Sequence, residues 1–288
     1  MKKNYNYPPE IKACLVFLHL ENYKKAVEAG KLAVKKYPEN PYAYYYLGEA
    51  YYVLGELNLA LENLEKAANL TNDKETLVGI YSMIGNIVYS IGSSDYALAF
   101  FTKSLNLAKD LGDTDLQAIM LNNIAGIYTE KEEFNKALDY YEEALRLKIN
   151  EKEKSGIYHN IAMTYFKKRD YQKAVEYFQK AIEIDEKYGN YHALSRIKLN
   201  LGNTYREMKD YENAEKYLSE GFEGVQKIGD KLWEAIGYGF FGLLYRDKGN
   251  KIEAREYLTR AYNLFKAIGA EGYALGALEE IEKLGDLH

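Results

Sequence analysis

Catalysis needs a nucleophile, an acid–base pair or a metal held at fixed spacing, and this sequence supplies few such side chains. The four histidines, His19, His159, His192 and His288, form no pair at metal-binding spacing, and no Gly-x-Ser-x-Gly nucleophile motif occurs. The single cysteine, Cys14, excludes an internal disulfide framework and a cysteine-based zinc site. Adjacent acids such as Glu132-Glu133 and Glu142-Glu143 fall on turn or outward helix surfaces, where solvation accounts for them. We therefore expect no catalytic residue, no metal and no cofactor, and a chain that is not an enzyme. What does recur is asparagine: Asn123, Asn160 and Asn200, with Asn122 beside the first, and Asn86 and Asn203. A primary amide carries both donors and an acceptor, the complement of a peptide backbone. Whether these amides face one ligand depends on the elements that hold them.

The composition narrows those elements. The 288 residues are 47% apolar, with 38 Lys and Arg against 43 Asp and Glu, a formal charge of -5. Such a balance gives no electrostatic hold on the phosphates of a nucleic acid. No uninterrupted apolar run approaches the ~20 residues of a membrane span. Lys2 and Lys3 precede a partly apolar stretch from Ile11 to Leu20, but Lys12 and His19 interrupt it, so a first helix is expected there and not a secretory leader. At this length a single compact core gives way to two domains or to an elongated repeat, and the lack of a Pro-rich or Ser-rich linker favours the repeat.

A repeat is present. Tyr44-x-x-Leu47-Gly48-x-x-Tyr51 has counterparts centred on Gly85, Ala125, Ala162, Gly202 and Gly242. Each is followed by a second half of the form Ala60-x-x-x-Leu64-x-x-Ala67, repeated from Ala97, Ala137, Ala174, Ala214 and Ala254. A degenerate first copy holds Cys14, Phe17, Ala26, Gly30 and Ala33. Large residues three or four apart share a helix face, and the small residue between them lets a second helix approach. Each unit is thus a pair of helices, A and B, that cannot bury its apolar face alone; stacking the pairs buries it. The small residues recur at steps of 34, 37, 40, 37, 40 and 40 residues. The extra residues lie after the second half, so helix B is expected to run about one turn further. Gly112, Gly189, Gly229 and Gly269 stand where such helices end, and Asp113, Asn190 and Asp230 follow as caps for the next.

This pattern resembles the tetratricopeptide repeat family over about residues 7 to 268, and the long period is similar to members that hold extended peptides, such as spindle adaptors, kinesin light chains and bacterial peptide-sensing regulators. The resemblance implies an all-α fold: a right-handed α-solenoid of about seven helix pairs plus a C-terminal capping helix. One superhelix is expected over 1–288, with repeats near 7–40, 41–74, 78–111, 118–151, 155–188, 195–228 and 235–268 and a cap at 271–286. Pro8 and Pro9 open the first helix, and no DNA-reading helix-turn-helix precedes it.

With Gly48 as the eighth position of its repeat, the resemblance implies that positions two, five, six, nine, twelve and thirteen line a concave groove. Asn123, Asn160 and Asn200 then share the sixth position, and Asn86 and Asn203 the ninth. The groove set is completed by Asn122, by Tyr89, Met163 and Phe166 as apolar contacts, and by Arg196 and Arg206 as anchors for an acidic group. Tyr42, Tyr45, Tyr46 and Tyr52 in the second repeat, and Phe240 and Leu243 in the seventh, make terminal-repeat contacts. The clamp that family members use for chaperone tails is matched only in part by Asn122, Gly126, Asn160, Arg196 and Asn200, so that ligand is disfavoured. Groove charges balance, with Lys167, Arg196, Arg206 and Arg246 against Glu49, Glu130, Glu207 and Asp247. The expected function is a cytoplasmic, non-enzymatic adaptor that binds a protein or extended peptide, with no nucleic acid and no membrane partner. The alternative is a scaffold that self-associates into a homo-oligomer through its terminal repeats.

Overall fold

The computed structural model describes residues 7–285, and among them every regular element is an α-helix. The helices are α1 (Pro9–His19), α2 (Tyr23–Lys36), α3 (Pro41–Val53), α4 (Leu57–Asn69), α5 (Lys74–Ser90), α6 (Ser94–Leu111), α7 (Thr114–Glu130), α8 (Phe134–Arg146), α9 (Glu151–Lys167), α10 (Tyr171–Tyr188), α11 (Tyr191–Glu207), α12 (Tyr211–Ile228), α13 (Lys231–Asp247), α14 (Lys251–Ala267) and α15 (Glu271–Lys283). Odd-numbered helices up to α13 are the A members of seven pairs and even-numbered ones the B members. The last helix is the cap, and residue 286, the end expected for it, lies outside the described residues. Helix B is lengthened only where the step is 40 residues: α6, α10 and α12 each have 18 residues, whereas α4 and α8, at the 37-residue steps, have 13. There the extra residues lengthen the next helix A, which has 17 residues in α5 and α9 against 13 in α3.

The chain forms two compact units. The first comprises residues 1–127 with 142–148, and the second 128–141 with 149–288, so the division passes through α7 and α8. In each unit successive helices pack in chain order, α1 to α6 in the first and α9 to α15 in the second. The A helices also touch one another, α1 with α3, α3 with α5 and α11 with α13. That extra approach puts the A face on the inside of each stack.

What permits the stacking is the small residue at the crossing of each pair. A Cβ built on Gly202 of α11 would lie 2.7 Å from Leu218 Cγ and 2.8 Å from the Leu218 amide nitrogen of α12. Gly48, Gly85 and Gly242 meet Leu64, Phe101 and Leu258 in the same way, at 2.9, 2.6 and 2.6 Å. Each partner is the large residue of the B-helix half, and Leu64, Leu218 and Leu258 are almost wholly buried. Cys14 fills the small-residue position of the first pair; it is buried, and its Sγ donates to the Ala26 carbonyl at 3.2 Å. Burial, reinforced by the charge of Glu49, pushes this thiol up to about 12, which suits a packing role.

The turns repeat as strictly as the helices. Gly112, Gly189 and Gly229 adopt the left-handed conformation that closes α6, α10 and α12. Asp113 then accepts from the Leu116 amide and Asp230 from the Trp233 amide, as caps do, whereas Asn190 turns its amide back onto Asp185. Within the pairs, Glu21, Gly55, Gly92, Glu132, Arg169, Lys209 and Gly249 all have positive φ. These seven positions recur with the same steps as the small residues, and four of them bear a side chain that the conformation disfavours.

Two consequences are measurable by thermal or urea unfolding. Gly202→Ala is expected to cost about 1–3 kcal/mol through the clash with α12, whereas Gly156→Ala, whose Cβ meets nothing within 4 Å in the exposed side of α9, should gain about 0.5–1 kcal/mol. Lys209→Gly should gain about 0.5–1 kcal/mol by relieving the left-handed backbone, net of the glycine's extra entropy.

Candidate binding surface

The inner face of the second unit is built from α9, α11 and α13, and its polar side chains are largely engaged with one another. Asn200 is 8% exposed, and its Nδ2 donates to His159 Nε2 at 3.1 Å, one helix pair earlier. That bond requires a neutral imidazole with an acceptor nitrogen. Burial first, then the charge of Arg196, holds His159 down to about 4. Asn160 is half-buried on the same face, and its main-chain carbonyl accepts from Thr164 Oγ1 just as that of Asn200 accepts from Thr204 Oγ1, each at 2.8 Å. The Thr164 hydroxyl also meets Thr129 Oγ1 at 2.8 Å inside the unit. Met163 and Phe166 are half-buried against the core cluster of Phe178 and Leu201, and the Phe166 ring lies 5.6 Å from that of Tyr171.

Both arginines expected to anchor a ligand are held by the chain itself. Arg196 donates through Nε and Nη2 to Asp230 Oδ2 at 3.1 and 2.6 Å and lies over the Trp233 ring at 5.5 Å. Burial opposes ionisation of Asp230, yet the bonds from Arg196 and the Trp233 amide outweigh it and hold the carboxyl below its usual range. Arg206 is buried and reaches Asp247, Glu207 and the Asn203 Oδ1. Arg246 continues the series to Asp247 and Glu280, and Lys167 pairs with Glu130 at 2.6 Å. The charge balance read from the sequence is thus a ladder of internal pairs joining successive helix pairs. Asn203 is consumed within it, and Phe240 packs against the core of Leu218 and Phe241, with Leu243 half-buried nearby on α13.

In the first unit Asn86 and Tyr89 are exposed on α5, and Asn122 and Asn123 are half-buried on α7. The Asn123 side chain makes no hydrogen bond among the described residues. Tyr42, Tyr45, Tyr46 and Tyr52 lie half-buried on α3. Tyr46 packs edge-on to Tyr45 at 5.2 Å and to Tyr7 at 5.6 Å, and donates to the Tyr7 hydroxyl. Of the residues that organise these surfaces, sequence reasoning missed His159, Asp230 and Trp233. The repeat register held the clue for His159, which immediately precedes the sixth-position Asn160.

Among the described residues no group of three or more His, Cys, Asp or Glu is placed to hold a metal ion, and no helix is long and apolar enough to cross a membrane.

Family models for the tetratricopeptide repeat match residues 15–74, 76–150, 154–223 and 193–267. The chain is 34% identical over 90 residues to outer dynein arm-docking complex subunit 4 of Danio rerio, a match covering 31% of this chain and 18% of that protein. Across the docking-complex subunits it matches, the chain spans 13 to 22% of their length. In fold it is similar to a chain of the anaphase-promoting complex hetero-tetramer Cut9-Hcn1, with a TM-score of 0.72, 15% identity and coverage of 99% of this chain and 50% of that one. It is also similar to apo RapI, with a TM-score of 0.71, 18% identity and coverage of 95% and 98%.

The depressed His159 makes stability depend on pH in a definite direction. Between the ordinary value near 6.5 and about 4, the unfolded chain binds this proton and the folded chain does not. The contribution is therefore complete above about pH 6.5 and is lost as pH falls toward 4. A full shift of that size corresponds to about 3 kcal/mol, and the partial exposure of His159 keeps the effect below it, at about 1–3 kcal/mol. Urea unfolding of wild type and His159→Gln at pH 7 and 4.5 measures the difference: the wild type should lose that much more than the variant on acidification.

Proposed function

The chain belongs to the tetratricopeptide repeat family, and on that footing we propose that it is a non-enzymatic, cytoplasmic interaction module whose inner helix-A faces bind an extended segment of a protein partner. The observation that carries this reading is the set of amides on those faces. Asn86, Asn122 and Asn123 in the first unit, and Asn160 and Asn200 in the second, stand on A helices at recurrent register. Asn123 has no hydrogen bond to spend, and Asn200 retains an Oδ1 that no described donor reaches. Such groups match the alternating donors and acceptors of an extended backbone without selecting its sequence. Tyr89, Met163 and Phe166 supply the apolar contacts. Arg196 and Arg206 leave the anchor set, because withdrawing either from Asp230 or Asp247 would strand a half-buried carboxylate. Two similar proteins, a docking-complex subunit and a chain of a hetero-tetramer, are by name parts of assemblies, which agrees with a role of this kind.

A second reading rests on α15. Tyr273 and Leu275 on this last helix are 58% and 59% exposed, an apolar pair that another copy would cover. Light scattering over a concentration series separates the readings, because self-association through α15 requires a mass that rises with concentration and falls in Leu275→Glu.

The groove reading is tested with a partner captured by the native chain from a lysate and then identified and purified. Asn123→Ala combined with Asn160→Ala should weaken binding by about five- to 150-fold, from about 0.5–1.5 kcal/mol per hydrogen bond, with helicity unchanged. Equal affinity of native and variant protein would remove the asparagines from the site.

A further inference from the structure

Eight charged side chains were expected on the inner face, and seven of them are paired: Lys167 with Glu130, Arg196 with Asp230, Arg206 with Glu207 and Asp247, and Arg246 with Asp247. The eighth is Glu49. It is half-buried on α3, yet makes no hydrogen bond or ion pair among the described residues. Burial pushes its carboxyl up from the ordinary range; His19, exposed at the end of α1, is the basic group whose charge partly opposes that rise. Its field extends inward to Cys14 and Tyr45, both of which it pushes up after burial itself.

The surroundings of Glu49 are aromatic by design of the helix register. Tyr45 and Tyr46 lie four and three residues before it, hence on the same face of α3, and Tyr42 extends the stripe by another turn. Tyr45 and Tyr46 meet edge to face, and Tyr7 closes on Tyr42 at 4.9 Å. Tyr42 and Tyr45 also line a cavity of about 150 Å³ that reaches Gly79 on α5. Ring faces carry negative potential, which does nothing to stabilise a carboxylate and attracts a cation. A half-buried carboxylate on the same helix face as tyrosine rings, with no ion-pair or hydrogen-bond partner among the described residues, is complementary to a positive group from outside.

We propose that Glu49, with the rings of Tyr45 and Tyr46, is a receptor for a cationic side chain of the partner segment, a lysine ammonium or an arginine guanidinium. The proposal rests on the groove reading for the existence of that segment and adds its chemistry: a basic residue where it crosses α3. Because the carboxylate has no partner among the described residues, its removal relieves the chain while destroying the receptor. A carboxylate kept for structural reasons behaves the opposite way.

The test uses the full chain with ¹³C-labelled tyrosine rings, titrated at constant ionic strength with N-acetyl-lysine amide, N-acetyl-arginine amide and neutral N-acetyl-norleucine amide. The Tyr45 and Tyr46 signals, assigned through Tyr→Phe variants, should shift saturably with one or both cations and at least tenfold more weakly with the norleucine compound. Glu49→Gln should abolish the response and melt no lower than wild type, by expectation about 2 °C higher. An equal response to norleucine, a response that survives Glu49→Gln, or a lower melting temperature in that variant overturns the proposal. The probes need no partner, so the outcomes separate. If they fail while the asparagine variants still weaken partner binding, only the receptor is lost. If the cations bind while the asparagine variants have no effect, the groove reading alone falls.

Discussion

Every feature of this protein depends on the close crossing of helix A over helix B at a residue that has no room for a larger side chain. At Gly48, Gly85, Gly202 and Gly242 even a methyl group would meet the partner's Leu or Phe within 3 Å. Buried Ala125 and Ala162 fill the same place in two repeats, and Cys14 in the first. The close crossing brings the large residues of helix B into the pair; Gly221 of α12, whose Cβ would lie 2.7 Å from the Ser195 carbonyl oxygen of α11, gives the two helices of one pair a second close approach. The apolar energy is spread over many such contacts, none dominant, as expected of an array stabilised by its neighbours.

The same geometry determines what is left for binding. Once the B helices and the crossing faces are consumed by stacking, the inner face of the A helices is the surface whose residue types are not dictated by packing. In the second unit that face is stitched by ion pairs and by the Asn200 to His159 bond, so its polarity serves cohesion as well as recognition. In the first unit it is a tyrosine surface beside the carboxylate of Glu49, which no described residue pairs. The two units thus present different chemistry from one repeat plan.

The fold was legible because its signal is local. Spacings of three and four, a small residue at fixed register and Gly at helix ends report on one helix pair at a time. Thus α6, α10 and α12 end at 111, 188 and 228, where Gly follows, whereas α5, α7, α9, α11 and α13 begin at 74, 114, 151, 191 and 231, one turn before the expected starts at 78, 118, 155, 195 and 235. The left-handed turns inside the pairs were harder to see, because Glu21, Glu132, Arg169 and Lys209 carry no turn signature of their own and are held there by the helices on either side. The site was legible only as a face. That Arg196 and Arg206 lie on the A helices followed from register, but their capture by Asp230 and Asp247 depends on residues 34 and 41 positions away whose approach is a property of stacking. His159 escaped for a related reason: a lone histidine gains meaning only when Asn200 from the next pair comes within 3.1 Å of it.

The central claim is that the partner lies along the inner helix-A face. Site-specific photo-crosslinking addresses it directly, with benzoylphenylalanine in place of Asn86 on α5 or Met163 on α9, and in place of Glu62 on α4 or Glu176 on α10 as B-helix controls. The account predicts that irradiation of the partner complex joins partner to chain from the two A-helix positions and not from the controls. Crosslinks confined to Glu62 and Glu176, with none from Asn86 or Met163, would contradict it.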